Sequence, residues 1–174
     1  MKIIKTHIDG LFGIELKVFR DERGLFTERY HSEKFKELGI TENFVQDNYS
    51  RSSPGVLRGL HMQLDPPQGK LVGVTRGKIW DLAVDLRPGS KTYGQHSALE
   101  LSDENAILFW IPAGFAHGFY VLGNEPADVM YKVTGHYNPK TEKGFRWNDP
   151  KLNIRWPDAN PQVSARDAAL PYLE

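Results

Sequence analysis

The sequence predicts an all-β protein, a jelly-roll β-barrel with a few short peripheral helices. Short apolar segments recur at even spacing along the chain, and turn residues such as those at 53–55, 65–67, 87–89 and 112–114 separate them. This spacing is typical of β-sandwiches and barrels. Helical periodicity is sparse, and no alternation of strands with helices is visible, which disfavours a parallel sheet. No repeat, low-complexity tract or linker interrupts the pattern, so the 174 residues are interpreted as one domain.

Two short helices and ten strands follow from this pattern. Residues 32–38 begin with Ser32, a residue type that caps helix N-termini, and Gly39 follows the segment. Residues 164–169 also begin with a serine, Ser164, and Pro171 stands after them. Strands are predicted at residues 13–19, 24–30, 44–50, 56–63, 70–76, 78–86, 93–101, 106–111, 117–121 and 129–137.

Two of the predicted strands carry polar residues opposite apolar ones. In residues 79–86 one face contains Asp81 and Asp85, and the other is apolar throughout, with Trp80, Leu82, Val84 and Leu86. In residues 56–63 strict alternation places His61 on one face and Arg58 on the other. One interpretation is that the polar faces contact solvent. The other is a barrel with a polar interior, which would form a ligand cavity.

The composition excludes several classes of function. Lys and Arg together number 22, as do Asp and Glu, so the overall charge indicates no nucleic-acid or membrane-surface partner. The absence of Cys excludes disulfides, thiolate catalysis and Cys-ligated metals. Residues 1–13 lack the apolar core of a signal peptide, and no run approaches the roughly 20 apolar residues of a membrane span. A cytoplasmic protein is therefore expected.

The histidines show no metal-binding pattern. β-Barrel metalloproteins often place two histidines one residue apart on a strand, with a carboxylate and a further histidine elsewhere. Here Gln63 stands where the partner of His61 would be, and His96 and His136 have no partner at ligand spacing. Zn, Fe and Mn sites favour His and carboxylate ligands in a fixed geometry. No metal site is expected.

Four clusters of polar residues could carry other chemistry, and they lie at residues 21–28, 46–48 with 56–63, 68–70 and 111–119. The chain lacks a Gly-x-Ser-x-Gly nucleophile elbow and a phosphate-binding Gly-Lys-Ser/Thr loop. Taken singly, each cluster is also compatible with surface arginines and hydrogen-bonded core histidines. Acid–base catalysis and plain ligand binding therefore both stay open at this point.

Residues 56–63, Val-Leu-Arg-Gly-Leu-His-Met-Gln, resemble the central signature of the dTDP-4-dehydrorhamnose 3,5-epimerase family. Asp-Asn-Tyr-Ser precedes it at residues 47–50, and the resemblance continues through residues 68–72, 81–87, 111–119, 131–132, 147–150, 154–157 and 164–167. These blocks follow the family order over nearly the whole chain. The resemblance is therefore specific for the family, and less specific for the exact substrate.

The resemblance implies a cupin-like jelly-roll barrel, a homodimer and no cofactor. It implies an isomerase that inverts C3 and C5 of dTDP-4-dehydro-6-deoxy-D-glucose and yields dTDP-4-dehydro-L-rhamnose, a step toward dTDP-rhamnose. The family's catalytic base matches His61, its acid on the opposite ring face matches Tyr131, and the carboxylate partner of the histidine matches Asp167. The lysine near the C4 oxygen of the sugar matches Lys70.

The resemblance also assigns the substrate-binding positions. The residue that stacks on the nucleobase matches Tyr137. Arg166 stands where the family usually has Lys, which replaces a point charge by a planar fork of donors. The remaining positions match Arg23, Glu28, Gln46, Asp47, Asn48, Arg58, His117 and Glu142.

These residue types suit epimerisation next to a ketone. The reaction needs a base for one face of the sugar, an acid for the other face, and a cation or donor for the enolate oxygen formed between the two steps. The nearest alternative is an epimerase that acts at C3 or C5 alone, or on a related nucleotide 4-keto-6-deoxy sugar. Two candidates from different classes of protein are a metal-dependent cupin, such as a dioxygenase, and a non-catalytic sugar-binding module.

Overall fold

The computed structural model describes residues 1–173 and contains two antiparallel sheets and a separate hairpin. In chain order the elements are β1 (Lys2–Lys5), β2 (Phe12–Glu15), β3 (Val18–Asp21), β4 (Gly24–Thr27), α1 (Ser32–Glu37), β5 (Gln46–Ser52), β6 (Leu57–Gln63), β7 (Lys70–Arg76), β8 (Lys78–Asp85), β9 (His96–Ser102), β10 (Ile107–Ile111), β11 (Phe115–Val121), β12 (Ala127–Val133), β13 (Glu142–Gly144) and α2 (Ala165–Ala168). One sheet has the order β1-β2-β10-β7-β12-β5, the other β13-β6-β11-β8-β9, and β3 pairs with β4. The predicted all-β jelly-roll barrel with few short helices is confirmed.

The apolar core consists of three clusters, one between the two sheets and one on the outer face of each. The largest lies between them and joins residues of both, such as Val72 and Phe109 from the first sheet and Phe119 from the second. On the outer face of the six-stranded sheet, Phe35 of α1 belongs to the same cluster as Trp110. On the outer face of the five-stranded sheet, residues of the C-terminal segment cover β8; they include Leu152 and Trp156. Part of the outer face of each sheet is therefore apolar as well.

The alternation in β8 shows which interpretation of its polar face is right. Its uniformly apolar face points outward, where Leu82 and Val84 pack beneath the C-terminal segment. Asp81 and Asp85 lie on the opposite, inward face, and both are fully buried. The solvent-facing interpretation is therefore wrong for this strand, and the interior of the barrel is partly polar.

A bulge in β6 changes the side-chain pattern of residues 57–63. His117 of β11 pairs with His61, whereas Phe119 pairs with Arg58, so β6 carries one extra residue between these pairs. Gly59 has a φ of 123° there, and a Cβ on it would lie 2.6 Å from the Cα of Gly118. The expectation that Arg58 and His61 lie on opposite faces is wrong, because both line the same cavity.

Other element boundaries differ from the prediction for local reasons. The strand predicted at 13–19 is two strands, because β2 joins the six-stranded sheet and β3 turns away to pair with β4. Helix α1 has His31 rather than Ser32 as its N-cap, without a side-chain capping bond. Helix α2 is capped as predicted, since the Ser164 hydroxyl accepts from the Asp167 N–H. No helix within residues 1–173 is long and apolar enough to span a membrane.

Candidate active site

A cavity of about 610 Å³ opens between the two sheets. Its walls come from the inner faces of β5, β6, β7, β11 and β12, and from the segment that leads into α2. The volume is typical of a site for one organic ligand. Of the residues predicted for the site, the cavity is lined by His61, Lys70, Tyr131, Asp167, Gln46, Asn48, Arg58, His117, Tyr137, Glu142 and Arg166.

His61 and Asp167 form a hydrogen-bonded pair at the cavity wall. His61 Nε2 lies 2.9 Å from Asp167 Oδ1, and the second carboxylate oxygen accepts from the Gly59 N–H at 3.2 Å. Because a carboxylate only accepts, the neutral imidazole carries its proton on Nε2 and keeps Nδ1 as the basic nitrogen. Helix α2 positions Asp167, whose own N–H is bound by the Ser164 hydroxyl at 3.0 Å.

The Asp167 carboxylate stays ionised although it is 4% exposed. Burial alone raises its pKa, but the hydrogen bonds from His61 and the Gly59 N–H, with the nearby charge of Arg166, bring the pKa below its ordinary value. An ionised partner stabilises the imidazolium that forms when His61 takes up a proton. The geometry of the pair is that of a histidine whose tautomer and protonated form a carboxylate stabilises.

Lys70 is a buried cation next to this pair. Its Nζ donates to the backbone oxygen of His61 at 3.2 Å. Burial lowers the pKa of Lys70 to about 8, and the charges of Asp81 and Glu142 oppose that fall. The amine is thus mostly protonated at neutral pH and lies where a negative charge in the cavity would be stabilised.

His117 and Asp81 form a second pair deeper in the barrel. His117 Nε2 lies 3.0 Å from both oxygens of Asp81, which is fully buried. Burial lowers the pKa of His117, as do the charges of Lys70 and His61, and these effects exceed the opposing effect of Asp81. A neutral His117 held in this tautomer presents its other ring nitrogen as a hydrogen-bond acceptor.

Tyr131 enters the cavity from the other sheet. It lies on β12, whereas His61 lies on β6, so the two side chains reach the cavity from different walls. Burial raises the pKa of Tyr131 above that of an ordinary tyrosine. The phenol therefore keeps its proton at neutral pH, as a general acid must.

A polar rim surrounds the mouth of the cavity. Glu142 accepts from the Tyr137 hydroxyl at 3.0 Å and from the guanidinium of Arg166. The Tyr137 N–H donates to the side chain of Gln46 at 3.1 Å, and Gln46 in turn donates to Asn48 at 2.8 Å. Half of the Tyr137 side chain stays exposed, so its ring is presented at the rim.

Arg58 carries an uncompensated positive charge at the cavity. Its Nε donates to the Ser52 hydroxyl at 2.9 Å, and no carboxylate within residues 1–173 lies within salt-bridge distance of it. The terminal N–H groups of the guanidinium are thus free to bind an anion. Phosphate oxygens match the planar fork of arginine well.

Three predicted site residues do not line the cavity of this chain. Arg23 lies on the β3–β4 hairpin and bonds to Asp21, and Glu28 follows that hairpin and accepts from Lys34 at 2.6 Å. Asp47 points to the outer face of β5, where it binds Lys132 at 2.9 Å. Asp47 alternates with Gln46 and Asn48, so the strand itself directs its side chain away from the cavity.

The structure adds cavity residues that the sequence reasoning missed. Ser50 shares the inner face of β5 with Gln46 and Asn48, and its buried hydroxyl has no hydrogen-bond partner within residues 1–173. Strand alternation from Gln46 could have identified Ser50. Gln68, from the polar cluster at 68–70, and the helix cap Ser164 also line the cavity, with Gln162 and Val163. Gln162 and Val163 carry no sequence signal of their own.

No group of three or more His, Cys, Asp or Glu side chains in the described chain, residues 1–173, is arranged to hold a metal ion. The two His–Asp pairs use their carboxylates on the imidazole nitrogens. The cavity brings together an imidazole, a phenol and a buried amine, which are groups that can move protons and stabilise negative charge on a bound carbon acid.

The chain is similar to known epimerases over its length. A family model described as dTDP-4-dehydrorhamnose 3,5-epimerase matches residues 5–174. A dTDP-4-dehydrorhamnose 3,5-epimerase of Methanothermobacter thermautotrophicus is 52% identical, and the match covers 90% of this chain and 84% of the relative. A dTDP-4-dehydrorhamnose 3-epimerase of Streptomyces niveus is 37% identical, with 96% and 81% covered.

A solved structure is similar in both fold and sequence. It is that of dTDP-6-deoxy-D-glucose-3,5-epimerase from Legionella pneumophila Philadelphia 1 in complex with dTDP-4-keto-L-rhamnose. The TM-score is 0.95 and the identity 51%, and the match covers 98% of this chain and 92% of that one. The chain therefore belongs to the dTDP-4-dehydrorhamnose 3,5-epimerase family.

Proposed function

We propose that this chain is a dTDP-4-dehydrorhamnose 3,5-epimerase that inverts C3 and C5 of dTDP-4-dehydro-6-deoxy-D-glucose. The observation that carries the proposal is the convergence of His61 with Asp167, Lys70 and Tyr131 in one cavity. Binding alone would require neither a base with an orienting carboxylate nor a phenol that keeps its proton. The relatives named 3,5-epimerase, about half identical over most of the chain, support the same function.

The proposed chemistry proceeds through an enolate. His61 Nδ1 takes the proton from the carbon next to the C4 ketone, and the electrons of the C–H bond move to the C4 oxygen. Lys70 stabilises the oxygen that becomes negative, as a donor placed for the transition state does. Tyr131 donates its hydroxyl proton to the other face of the same carbon, which inverts it. Solvent then reprotonates the phenolate and accepts the proton from His61, which completes the cycle.

The nucleotide end is assigned to the rim. Arg58, with free terminal N–H groups, is proposed to bind the diphosphate. Tyr137, with its exposed ring, is proposed to stack on the nucleobase. Arg166 keeps Glu142 in place with one terminal nitrogen, and its remaining donors can reach a phosphate oxygen.

A homodimer is proposed because of what the hairpin leaves exposed. Phe19, Leu25 and Phe26 of β3 and β4 are each more than half exposed. Such a patch marks an interaction surface in most proteins. Arg23 and Glu28, which do not reach the cavity of their own chain, would enter that of a second copy if the hairpin docked there. Analytical ultracentrifugation tests the dimer, and a monomer at micromolar concentration would contradict it.

The cytoplasmic location of the protein stays a prediction.

A single-position epimerase is the second candidate, since the relative from Streptomyces niveus is named a 3-epimerase. One experiment tests both functions. The substrate is incubated with the protein in deuterated water, and NMR follows C3 and C5 separately. Deuterium and inversion at both carbons support the 3,5-epimerase. Deuterium at one carbon only would support the second candidate, and no deuterium at either would refute both.

A further inference from the structure

The side chain of Gln63 forms a buried clamp at the end of β6. It is 4% exposed and two residues beyond His61 on the same strand. Its Nε2 donates to the backbone oxygens of Pro66 at 2.8 Å and His136 at 2.9 Å. Its Oε1 accepts from the Asn138 N–H at 2.7 Å. The carboxamide thus uses both donor hydrogens and its acceptor on backbone groups.

Two of these three bonds hold the residues on either side of Tyr137. This tyrosine lies beyond β12, which ends at Val133, so no strand pairing fixes its backbone. The residue itself is held by exposed contacts, from its N–H to Gln46 and from its hydroxyl to Glu142. Both of those partners line the cavity, where a ligand can compete for them. Gln63 is the buried anchor that a ligand does not reach.

We propose that Gln63 is a positioning residue for the nucleotide end of the substrate, because its carboxamide fixes the backbone on both sides of Tyr137. This inference rests on the proposed role of Tyr137 in stacking on the nucleobase. A ring that is already in place loses less conformational freedom on binding, which improves affinity without a new contact. The proton transfers at the other end of the cavity do not involve the clamp.

Two substitutions at this position separate the clamp from the packing of β6. Gln63→Met keeps a chain of similar length and removes all three hydrogen bonds. Gln63→Glu keeps the acceptor for the Asn138 N–H, but it turns an oxygen instead of an amide toward the backbone oxygens of Pro66 and His136. The Glu variant also remains as a probe if the Met variant does not fold.

A matched control exists at a distance from the cavity. The Thr92 hydroxyl donates to the buried Asp85 at 2.6 Å, and neither residue lines the cavity. Thr92→Val therefore removes two side-chain hydrogen bonds, to Asp85 and to Ser90, and leaves the rim unchanged. The melting temperature is measured for this control and for each Gln63 variant. A loss of affinity that comes only from lower stability of the fold would then also appear in Thr92→Val.

The experiment measures dTDP affinity by calorimetry and, with the keto-sugar, KM and kcat separately. We expect Gln63→Met to weaken dTDP binding and raise KM by about tenfold, which corresponds to the net loss of one to two hydrogen bonds. Gln63→Glu should act in the same direction, and kcat should change less than about threefold. Thr92→Val should bind dTDP like the unmodified protein.

A double variant identifies the route of the effect. In a Tyr137→Ala background, Gln63→Met should cause no further loss of dTDP affinity, because the ring that it positions is gone. Losses that add in full would overturn the inference, as would unchanged dTDP affinity in both Gln63 variants, or a fall in kcat with KM constant. Unchanged affinity in Tyr137→Ala alone would overturn it together with the stacking role. Failure of the unmodified protein to epimerise the sugar would instead refute the proposed function, and dTDP binding would still test the clamp.

Discussion

We expect Lys70 to impose an alkaline limit on the reaction. Burial lowers its pKa to about 8 against the opposing charges of Asp81 and Glu142. The amine is then about 90% protonated at pH 7, about half at pH 8 and about 10% at pH 9. Only the protonated amine offers a positive charge to the enolate oxygen. The rate constant kcat/KM should therefore fall as pH rises through 8, by about tenfold per pH unit beyond it.

The assay is kcat/KM for the keto-sugar between pH 6 and 10, in the unmodified protein and in Lys70→Gln. The neutral variant keeps an N–H donor but loses the charge, so its kcat/KM at pH 7 should be about 10²–10³-fold lower. Its kcat/KM should also lack the fall as pH rises through 8, the alkaline limb of the profile. Tyr131 does not produce this fall, because burial raises its pKa above that of an ordinary tyrosine. Lys78→Gln is the control and should keep this fall, because Lys78 is exposed at the first position of β8 and lies outside the cavity. A limb that persists in Lys70→Gln would refute the assignment.

Three further predictions concern the base, the diphosphate and metal. His61→Ala should lower deuterium exchange at both carbons by about 10²–10⁴-fold with the fold intact by circular dichroism, whereas His96→Ala, on β9 outside the cavity, should exchange normally. Near-normal exchange in His61→Ala would remove this residue from the mechanism. Arg58→Ala should weaken dTDP binding by about 1.5–3 kcal/mol, measured by calorimetry; unchanged affinity would make Arg58 an ordinary surface residue. Activity should survive dialysis against a strong chelator, and a loss restored by Zn, Fe or Mn would contradict the side-chain mechanism.

The strands were predicted from local patterns, and most of the cavity residues were predicted from the resemblance to the epimerase family; strand alternation agrees with that assignment. Residues that alternate along one strand share a face, so Gln46 and Asn48 reach the cavity together. The Ser164 cap was readable because a serine before a short helix binds the N–H three residues on. That cap holds the helix from which Asp167 reaches His61. A local sequence signal therefore located one member of a pair whose residues are 106 positions apart.

The errors arose where backbone geometry departs from simple periodicity. The extra residue at Gly59 moves Arg58 to the face of His61, and no alternation rule contains such a bulge. The β3–β4 hairpin places Arg23 outside the cavity of its own chain, so its role in substrate binding stays a prediction that depends on the proposed dimer. The polar face of β8 points inward because a distant C-terminal segment covers the apolar one. Such tertiary cover cannot be read from one strand.

We propose that His61 is the base and that Tyr131 is the acid on the opposite face of the sugar ring. The ratio of deuterium exchange to inversion in Tyr131→Phe tests this assignment. The change removes one hydroxyl and little volume, so the fold should persist. His61 would still take the proton, exchange it with solvent and return it to the original face, while Lys70 stabilised the enolate. NMR in deuterated water follows both quantities in one sample. If Tyr131 is the acid, deuterium should enter at C3 or C5 much faster than the carbon inverts, whereas an exchange-to-inversion ratio equal to that of the unmodified protein would contradict this assignment.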